Sequence, residues 1–158
     1  MITAWRLDKV KHAQEAFTGE GARRVSGRWH QRGMPVVYAS ESLALSVVEK
    51  FVHLGFDCSH LKFVYFKIEI PDTVSVKVLK PDDLPDDWTA EPPCDSTKDL
   101  GSDWAKQGRT AVLKVPSVLV PRSWNYLLNP AHRDFRQIRI SAPMPFVFDA
   151  RMWKADPH

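Results

Sequence analysis

Cysteine is scarce in this chain, which has only Cys58 and Cys94 among its 158 residues. Two cysteines cannot make the disulfide framework of a small secreted domain, and no signal peptide is visible at the N-terminus. A reducing cytoplasm is therefore the expected compartment. Long hydrophobic runs are also missing, which excludes a segment able to span a bilayer.

Charge of one sign is equally scarce, because 22 basic and 19 acidic residues give a formal net charge of +3. These residues are mixed along the chain, whereas nucleic-acid-binding domains usually carry a clustered basic stripe. We therefore expect no direct nucleic-acid binding, although a weak positive charge can attract an anionic small molecule or an acidic partner. The length and the 44% hydrophobic content predict one domain, residues 1–158, with an ordinary core.

Several common catalytic motifs are absent as well. The sequence contains no GxxxxGK[S/T] phosphate loop, no GxGxxG after a strand and no GxSxG nucleophile elbow. His53, Cys58 and His60 lie close together, but their spacing matches no common zinc pattern, and Cys94 is isolated. No metal site is predicted.

The hydrophobic spacing predicts more strands than helices, in mixed order. The expected strands are 2–7, 35–39, 61–70, 74–78, 110–114, 115–121 and 145–149. Residues 15–25 are expected to be irregular, 81–93 a surface loop and 125–130 turn-like. The pattern favours a compact α+β domain, with a mixed sheet and flanking helices, over a doubly wound parallel fold.

Turn and cap residues refine these boundaries. The break at Pro71-Asp72 predicts two strands joined by a turn. Ser96 with Asp99 resembles a capping box, which predicts a helix that ends at Gly108. Ser40 is predicted to be the N-cap of the other helix. The inward face of that helix is predicted to consist of Leu43, Ala44, Val47, Val48, Phe51 and Val52.

Glu49 falls at the edge of this apolar arc. One interpretation is a solvated boundary residue paired with a lysine such as Lys50. The other is a carboxylate that the helix presents into a cleft. Periodicity leaves both interpretations open.

Arg28, Tyr38 and Glu49 follow one another at intervals of ten and eleven residues across a predicted strand-to-helix passage. A guanidinium binds phosphate bidentately, a phenol stacks on a ring, and a carboxylate stabilises a developing cation. The three residue types together suit a phosphorylated, sugar-containing ligand such as a dinucleotide. Each also has a structural interpretation, as an ion-pair partner, a core aromatic residue or a surface glutamate.

Several short segments share their order and spacing with a known family. They are Trp5-Arg6, Gly27-Arg28-Trp29-His30, Gly33-x-Pro35-Val36-Val37-Tyr38-Ala39-Ser40, Leu43-Ala44, Val48-Glu49, Pro116-Ser117 and Asn125-x-x-x-Asn129-Pro130-x-His132, followed by Phe135. With these segments the chain resembles the RES-domain family, which is named for arginine, glutamate and serine. The resemblance covers nearly the whole chain.

The resemblance implies an ADP-ribosyltransferase-like fold and chemistry on NAD⁺ as substrate, with no bound prosthetic group. RES proteins are toxins of toxin–antitoxin pairs that cleave the nicotinamide–ribose bond and arrest bacterial growth. Water, inorganic phosphate as co-substrate, or a target protein accepts the ADP-ribosyl group. An Xre-like antitoxin is the implied partner, and a homodimer is expected within the toxin–antitoxin complex.

The same resemblance implies roles for individual residues. Arg28 matches the arginine expected at the dinucleotide phosphates, and Arg6 matches a second arginine that shares the anion. Tyr38 matches the tyrosine beside the nicotinamide or its ribose. Glu49 matches the catalytic glutamate. Ser117 matches the serine that hydrogen-bonds around the nicotinamide ribose.

Two alternatives come from other functional classes. A metal-independent ribonuclease would use His30 or His132 with Glu49 as acid and base. A non-catalytic module would use the arginines to hold a nucleotide or a partner without turnover. The acidic segment 81–103 receives no site assignment, and Trp29 is the one tryptophan that adjoins a candidate residue, Arg28.

Overall fold

A mixed β-sheet forms the centre of the computed structural model, which describes residues 1–55 and 60–153. The strands in these residues are β1 (Ile2–Lys9), β2 (Val37–Ser40), β3 (Phe63–Ile70), β4 (Val76–Val78), β5 (Val112–Pro116), β6 (Trp124–Leu128), β7 (Arg139–Ile140) and β8 (Met144–Phe146). They form one sheet in the order β4-β5-β6-β2-β1-β3-β7, and β8 also pairs with β3. The predicted α+β class with a mixed sheet is confirmed.

Helices flank this sheet. They are α1 (Glu20–Arg24), α2 (Leu43–Phe51), α3 (Asp95–Gln107) and the 3₁₀ segments Val10–Glu15, Pro81–Asp83, Arg133–Gln137 and Ala150–Trp153. Over the described ranges, no helix is long and apolar enough to cross a membrane. The 3₁₀ segment at 10–15 and α1 occupy part of the stretch that was predicted to be irregular.

The register of the central strands brings the candidate residues together. β1 pairs antiparallel with β3 along its whole length, from Ile2 opposite Ile70 to Lys9 opposite Phe63. β2 lies between β1 and β6, and its last residue, Ser40, is the register partner of both Trp5 and Asn125. The end of β2 therefore gathers residues from three parts of the chain that are distant in sequence.

Both faces of the sheet are buried. The predicted alternation on β3 is confirmed, since Phe66, Ile68 and Ile70 are buried. In β2, Val37 joins a cluster with Ile68, whereas the next residue, Tyr38, packs with the cluster that includes Trp104 of α3. Successive strand residues point to opposite faces, so both layers of core are supplied by this short strand.

The turn-like prediction was wrong for residues 125–128. β6 occupies Trp124–Leu128, most of which lies in the 125–130 stretch that was expected to be turn-like. Leu127 and Leu128 are fully buried, and this burial in the centre of the sheet overrides the local preference of asparagine for turns. Residues 115–121 do not form a second strand, because β5 ends at Pro116 and the chain bends directly after it.

The predicted connection between β3 and β4 was also wrong. These strands do not form a hairpin, because β4 pairs in parallel with β5 at the opposite edge of the sheet. Val74, in the segment that connects the two strands, is buried and holds this connection against the core. The shared period-two pattern predicted strands correctly but carried no information about which strands pair.

Both helix starts differ from their predictions. Ser42, not Ser40, caps α2, because its hydroxyl accepts a hydrogen bond from the Leu45 backbone N–H at 3.0 Å. Ser40 instead ends β2. Cys94 is the N-cap position of α3, and the Ser96 hydroxyl donates to Asp87. The predicted end at Gly108 is confirmed.

The buried face of α2 is also rotated from its prediction. Leu45 and Ser46 are buried, while Val48 is 38% and Val52 51% exposed. The Ser46 hydroxyl donates to the Trp5 backbone carbonyl at 3.0 Å, which fixes α2 against β1. This rotation sets the direction in which Glu49 leaves the helix.

Gly101 allows α3 to approach the segment that precedes β2. A side chain at this position would clash with the Trp29 backbone carbonyl. A helical glycine costs about 0.5–1 kcal/mol relative to alanine, so the close approach must compensate for that loss. The Gln31 backbone N–H donates to the Ser102 hydroxyl at 2.8 Å, which holds the segment carrying Arg28 against α3.

Candidate active site

A cavity of about 590 Å³ opens beside the ends of β1, β2 and β6, and α2 forms one of its walls. This volume lies within the range of roughly 300–1,000 Å³ that is typical of small-molecule sites. Four of the five predicted site residues line it, namely Arg6, Arg28, Tyr38 and Glu49. The fifth, Ser117, is 5% exposed and contacts Glu49 instead of lining the cavity.

Glu49 is held from one side. The Ser117 hydroxyl donates to Oε1 at 2.8 Å, and the Asn125 side-chain amide donates to the same oxygen at 2.7 Å. Oε2 receives no hydrogen bond from the described residues. Of the two interpretations left open by helix periodicity, the structure supports the carboxylate presented into a cleft.

Ser117 uses its full hydrogen-bonding capacity within the protein. Its hydroxyl donates to Glu49 and accepts from the backbone N–H groups of Leu119 and Val120, both at 3.1 Å. One donor and two acceptor sites are all that a hydroxyl offers. Ser117 therefore connects the bend after β5 to Glu49.

Asn125 is a contact of Glu49 for which the sequence predicted no role. It stands opposite Ser40 in the β2–β6 ladder, and the Ser40 hydroxyl donates to its Oδ1 at 2.7 Å. Its amide orientation follows from chemistry, since an ionised carboxylate only accepts and so must face the amide NH₂. The resemblance included Asn125, but its turn-like surroundings concealed its place in a central strand.

Tyr38 lines the cavity, and its hydroxyl is bonded inside the protein. The hydroxyl accepts from the Trp29 backbone N–H at 3.2 Å and lies 2.7 Å from Nδ1 of His30. Nε2 of His30 lies within 2.9 Å of the carbonyls of Ala22 and Val25, so Nε2 carries the proton. Nδ1 must then accept, and the Tyr38 hydroxyl donates to it.

Burial sets the protonation of this pair. It raises the pKa of the Tyr38 phenol well above its ordinary value, with Glu49 acting in the same direction. It lowers the pKa of His30, against the bonds to the two carbonyls. A neutral phenol and a neutral imidazole result. A Cβ at Gly27 would lie 2.8 Å from the Tyr38 hydroxyl, so glycine leaves space for this pair.

Arg28 binds part of the acidic segment 81–103, to which the sequence assigns no role. Its Nη1 donates to the backbone carbonyls of Trp88 and Ala90 at 3.0 and 2.7 Å. Its Nη2 donates to Glu91 at 3.0 Å, and that glutamate side chain is 78% exposed whereas Arg28 is 12% exposed. Arg28 thereby fixes residues 88–91 at the cavity wall, and Glu91 lines the cavity with it.

Arg6 forms a charged cluster on the other side of Tyr38. Its guanidinium donates to the Tyr38 carbonyl at 2.8 Å and to Asp8 at 3.0 Å, while Nε is buried without a partner in the described residues. Lys50 lies 3.9 Å from Asp8. Burial lowers the pKa of both Arg6 and Lys50, against the attraction of Asp8.

Neither histidine of the ribonuclease alternative contacts Glu49. His30 bonds to Tyr38 and to carbonyls, and His132 lines a separate cavity, where Nδ1 accepts from the Asp134 backbone N–H at 3.0 Å. In residues 1–55 and 60–153, no group of three or more His, Cys, Asp or Glu side chains could hold a metal ion. Cys58, considered above with His53 and His60, lies outside the described residues.

The chain therefore has an α+β fold in which one carboxylate and two arginines line a single ligand-sized cavity. The sequence model of the RES domain matches residues 3–149. The chain therefore belongs to the RES-domain family.

Named relatives cover nearly the whole chain. Toxin Res of Photorhabdus laumondii is 38% identical over 152 residues, which is 96% of this chain and 97% of that protein. Prs ADP-ribosylating toxin of Sphingobium sp. strain YBL2 is 40% identical over 152 residues, which is 94% of each chain. Toxin Res of Yersinia enterocolitica is 34% identical over 149 residues, which is 94% of this chain and 97% of that protein.

Proposed function

We propose that this chain is a RES-family toxin that cleaves the bond between nicotinamide and ribose in NAD⁺. The observation that carries the proposal is Glu49, whose Oε1 is fixed by two donors at the wall of a ligand-sized cavity. The names of the relatives as toxins, one of them ADP-ribosylating, support the proposal.

The proposed reaction breaks the bond between the ribose C1″ and the pyridinium nitrogen. The electron pair of this bond leaves with nicotinamide, whose ring nitrogen becomes neutral, and the ribose acquires oxocarbenium character. A nearby carboxylate stabilises this positive charge, as in glycoside cleavage. Glu49 needs only to be ionised for this task, so we assign it electrostatic stabilisation and no covalent bond.

The remaining residues are assigned by their contacts. We place the Tyr38 ring against the nicotinamide or its ribose, because its hydroxyl is used by Trp29 and His30. Arg6 and Arg28 provide positive charge for the two phosphates. Ser117 acts through Glu49, since its hydroxyl has no free donor.

The acceptor distinguishes the forms of the reaction. Attack by water on C1″ gives ADP-ribose and releases one proton. Attack by inorganic phosphate gives ADP-ribose-1″-phosphate. Transfer to a protein side chain is the second candidate function, and the name of the Sphingobium relative favours it.

The alternatives from other classes have less support. A ribonuclease with His30 as acid or base would first have to break the hydrogen bonds that hold this imidazole to the Ala22 and Val25 carbonyls and to Tyr38, and burial disfavours its protonated form. His132 lines a different cavity from Glu49. A non-catalytic module would bind NAD⁺ and return it unchanged.

Product analysis tests the proposal directly. The purified chain is incubated with NAD⁺, with and without phosphate and with a bacterial protein extract, and the products are identified by mass. Nicotinamide should appear in every reaction, and its partner product names the acceptor. Intact NAD⁺ under all conditions, from a folded protein, would contradict the proposal. Cleaved RNA with intact NAD⁺ would support the ribonuclease instead.

We further propose the biological setting that the family implies. The chain would act in the cytoplasm, arrest growth by consuming NAD⁺ or modifying a target, and be neutralised by an Xre-like antitoxin in a complex that contains a toxin homodimer. Expression with and without the neighbouring reading frame tests this setting. Growth arrest that the neighbouring frame relieves is the expected result.

A further inference from the structure

We infer that Asn125 is a positioning residue that, with Ser117, holds Oε1 of Glu49 and leaves Oε2 to face the reacting ribose. The inference rests on the proposed function for its chemistry, but the hydrogen-bond arrangement itself can be tested without any substrate. It assigns different tasks to the two oxygens of one carboxylate.

The two carboxylate oxygens of Glu49 have different hydrogen-bond partners. Oε1 accepts from Asn125 at 2.7 Å and from Ser117 at 2.8 Å. Oε2 accepts from none of the described residues and is not among their buried atoms that lack a partner. Glu49 itself lines the cavity, so Oε2 is the carboxylate oxygen that the described residues leave for a ligand.

Asn125 is itself fixed by a hydrogen bond from a neighbouring strand. Its other amide atom, Oδ1, accepts from the Ser40 hydroxyl at 2.7 Å, and the backbones of the two residues are register partners in adjacent strands. A side chain on a central strand moves less than one on a loop. The chain Ser40–Asn125–Glu49 therefore transmits the rigidity of the sheet to the carboxylate.

The amide side chain at position 125 also suits this positioning role. An amide donates to the carboxylate without adding a formal charge, so it orients Glu49 and leaves its negative charge available for the ribose. A lysine or arginine at this position would neutralise that charge. An aspartate would be isosteric but could only accept when ionised, and two carboxylates at hydrogen-bond distance oppose each other's ionisation.

The main variant is therefore Asn125→Asp. We expect kcat for nicotinamide release to fall about 10- to 100-fold at neutral pH, with KM for NAD⁺ changed less than about threefold, because the ground-state contacts remain. The acidic limb of the pH–kcat profile should move to higher pH, since the new carboxylate favours a shared proton at this site.

Asn129→Asp is the matched control. Asn129 is a second buried asparagine just after the same strand, and its amide donates to the Ala105 carbonyl while its Oδ1 accepts from the Ala131 N–H. It does not line the candidate site. This variant should lower thermal stability and leave the acidic limb unchanged. An equal shift of the limb in both variants would overturn the inference, as would an Asn125→Asp enzyme with wild-type kcat.

Ser40→Ala keeps the test usable if Asn125→Asp does not fold. It removes only the donor to Oδ1 of Asn125, so kcat should fall about two- to tenfold with KM unchanged. A change confined to KM would contradict the positioning role.

A substrate-free readout separates this inference from the proposed function. The side-chain NH₂ signal of Asn125 in ¹⁵N–¹H spectra is assigned by its loss in Asn125→Asp. It should move when Glu49→Gln replaces its acceptor. A signal that does not move refutes the hydrogen bond even if NAD⁺ is cleaved, whereas intact NAD⁺ together with a moving signal refutes only the proposed function.

Discussion

Two sides of one cavity are built in different ways. On the carboxylate side, Glu49 receives two hydrogen bonds on one oxygen and keeps the other oxygen available. On the guanidinium side, Arg28 donates to two backbone carbonyls and to Glu91. The carboxylate side is arranged to act on a ligand, whereas the guanidinium side holds residues 88–91 of the protein itself.

The difference shows that a residue's type does not fix its use. An arginine has five N–H donors, and Arg28 spends three hydrogen bonds on its own chain. Any phosphate must use the remaining donors or displace the exposed Glu91. Arg28 therefore combines a structural task with its proposed role at the dinucleotide. Glu49, in contrast, is held in place by Ser117 and Asn125 and has no structural task of its own.

Replacing Arg28 should give the largest effect on this side. Arg28→Ala removes the donor to two carbonyls, so the free energy of unfolding should fall by about 2–3 kcal/mol. KM for NAD⁺ should rise at least about tenfold through loss of charge. Arg28→Lys should retain part of the anion attraction but lose the forked hydrogen bonds, so stability should fall in both variants.

Chemical denaturation and initial rates measure the two effects. Arg23→Ala is the control, because Arg23 is an exposed arginine paired with Glu20 on α1. That change should cost at most about 1 kcal/mol. If Arg28→Ala retained wild-type stability, the structural task of Arg28 would be refuted.

Removing the Tyr38 hydroxyl should have a smaller effect. Tyr38→Phe leaves the ring in the cavity and deprives the Trp29 N–H and His30 of their partner. We expect a loss of about 1–2 kcal/mol in the free energy of unfolding and less than a tenfold fall in kcat. A thousandfold fall in kcat with unchanged stability would mean that the hydroxyl acts on substrate.

His30 predicts a pH dependence with a definite sign. Burial lowers its folded-state pKa, so its contribution to stability is complete above its ordinary value of 6.5 and is lost as pH falls below it. The denaturation midpoint should therefore decrease from pH 7 to pH 5. His30→Gln should be less stable at pH 7 but show a flatter slope, and an equally steep slope would remove His30 as the cause.

Glu91→Gln should have the smallest effect. The ion pair with Arg28 is largely exposed on the glutamate side, so its loss should cost less than about 1 kcal/mol. If Glu91 competes with phosphate, KM for NAD⁺ should fall about two- to threefold with kcat unchanged. Steady-state rates at low and high salt check this, and a raised KM would show that Glu91 assists binding.

The sequence predicted individual strands and helix ends better than it predicted which strands pair. Alternation on β3 and the glycine after α3 correctly predicted these elements, because burial and chain reversal leave local patterns. The pairing of β4 with β5 could not be predicted, because strand partners depend on contacts between distant residues. β6 was missed because Asn125 and the Asn129-Pro130 pair that follows the strand favour turns, although the leucines of the strand are buried.

In the candidate site as well, some residues could be predicted from the sequence and others could not. Residue types and spacing pointed to Arg28, Tyr38 and Glu49, and the family resemblance added Arg6; all four line one cavity. Asn125 was not predicted as a site residue, because its contact with Glu49 depends on the β2–β6 register. The link between Arg28 and residues 88–91 was hidden for a similar reason, since Trp88 and Ala90 lie 60 and 62 positions after Arg28.

Nicotinamide release by the wild-type chain and by Glu49→Gln tests the central claim most directly. Glutamine keeps an oxygen for Ser117 and Asn125 but removes the negative charge, so release should fall at least about 10³-fold with stability retained. Glu41→Gln is the matched control, because Glu41 accepts from the Trp124 N–H outside the cavity and should leave turnover unchanged. Wild-type turnover in a folded Glu49→Gln protein would contradict the account.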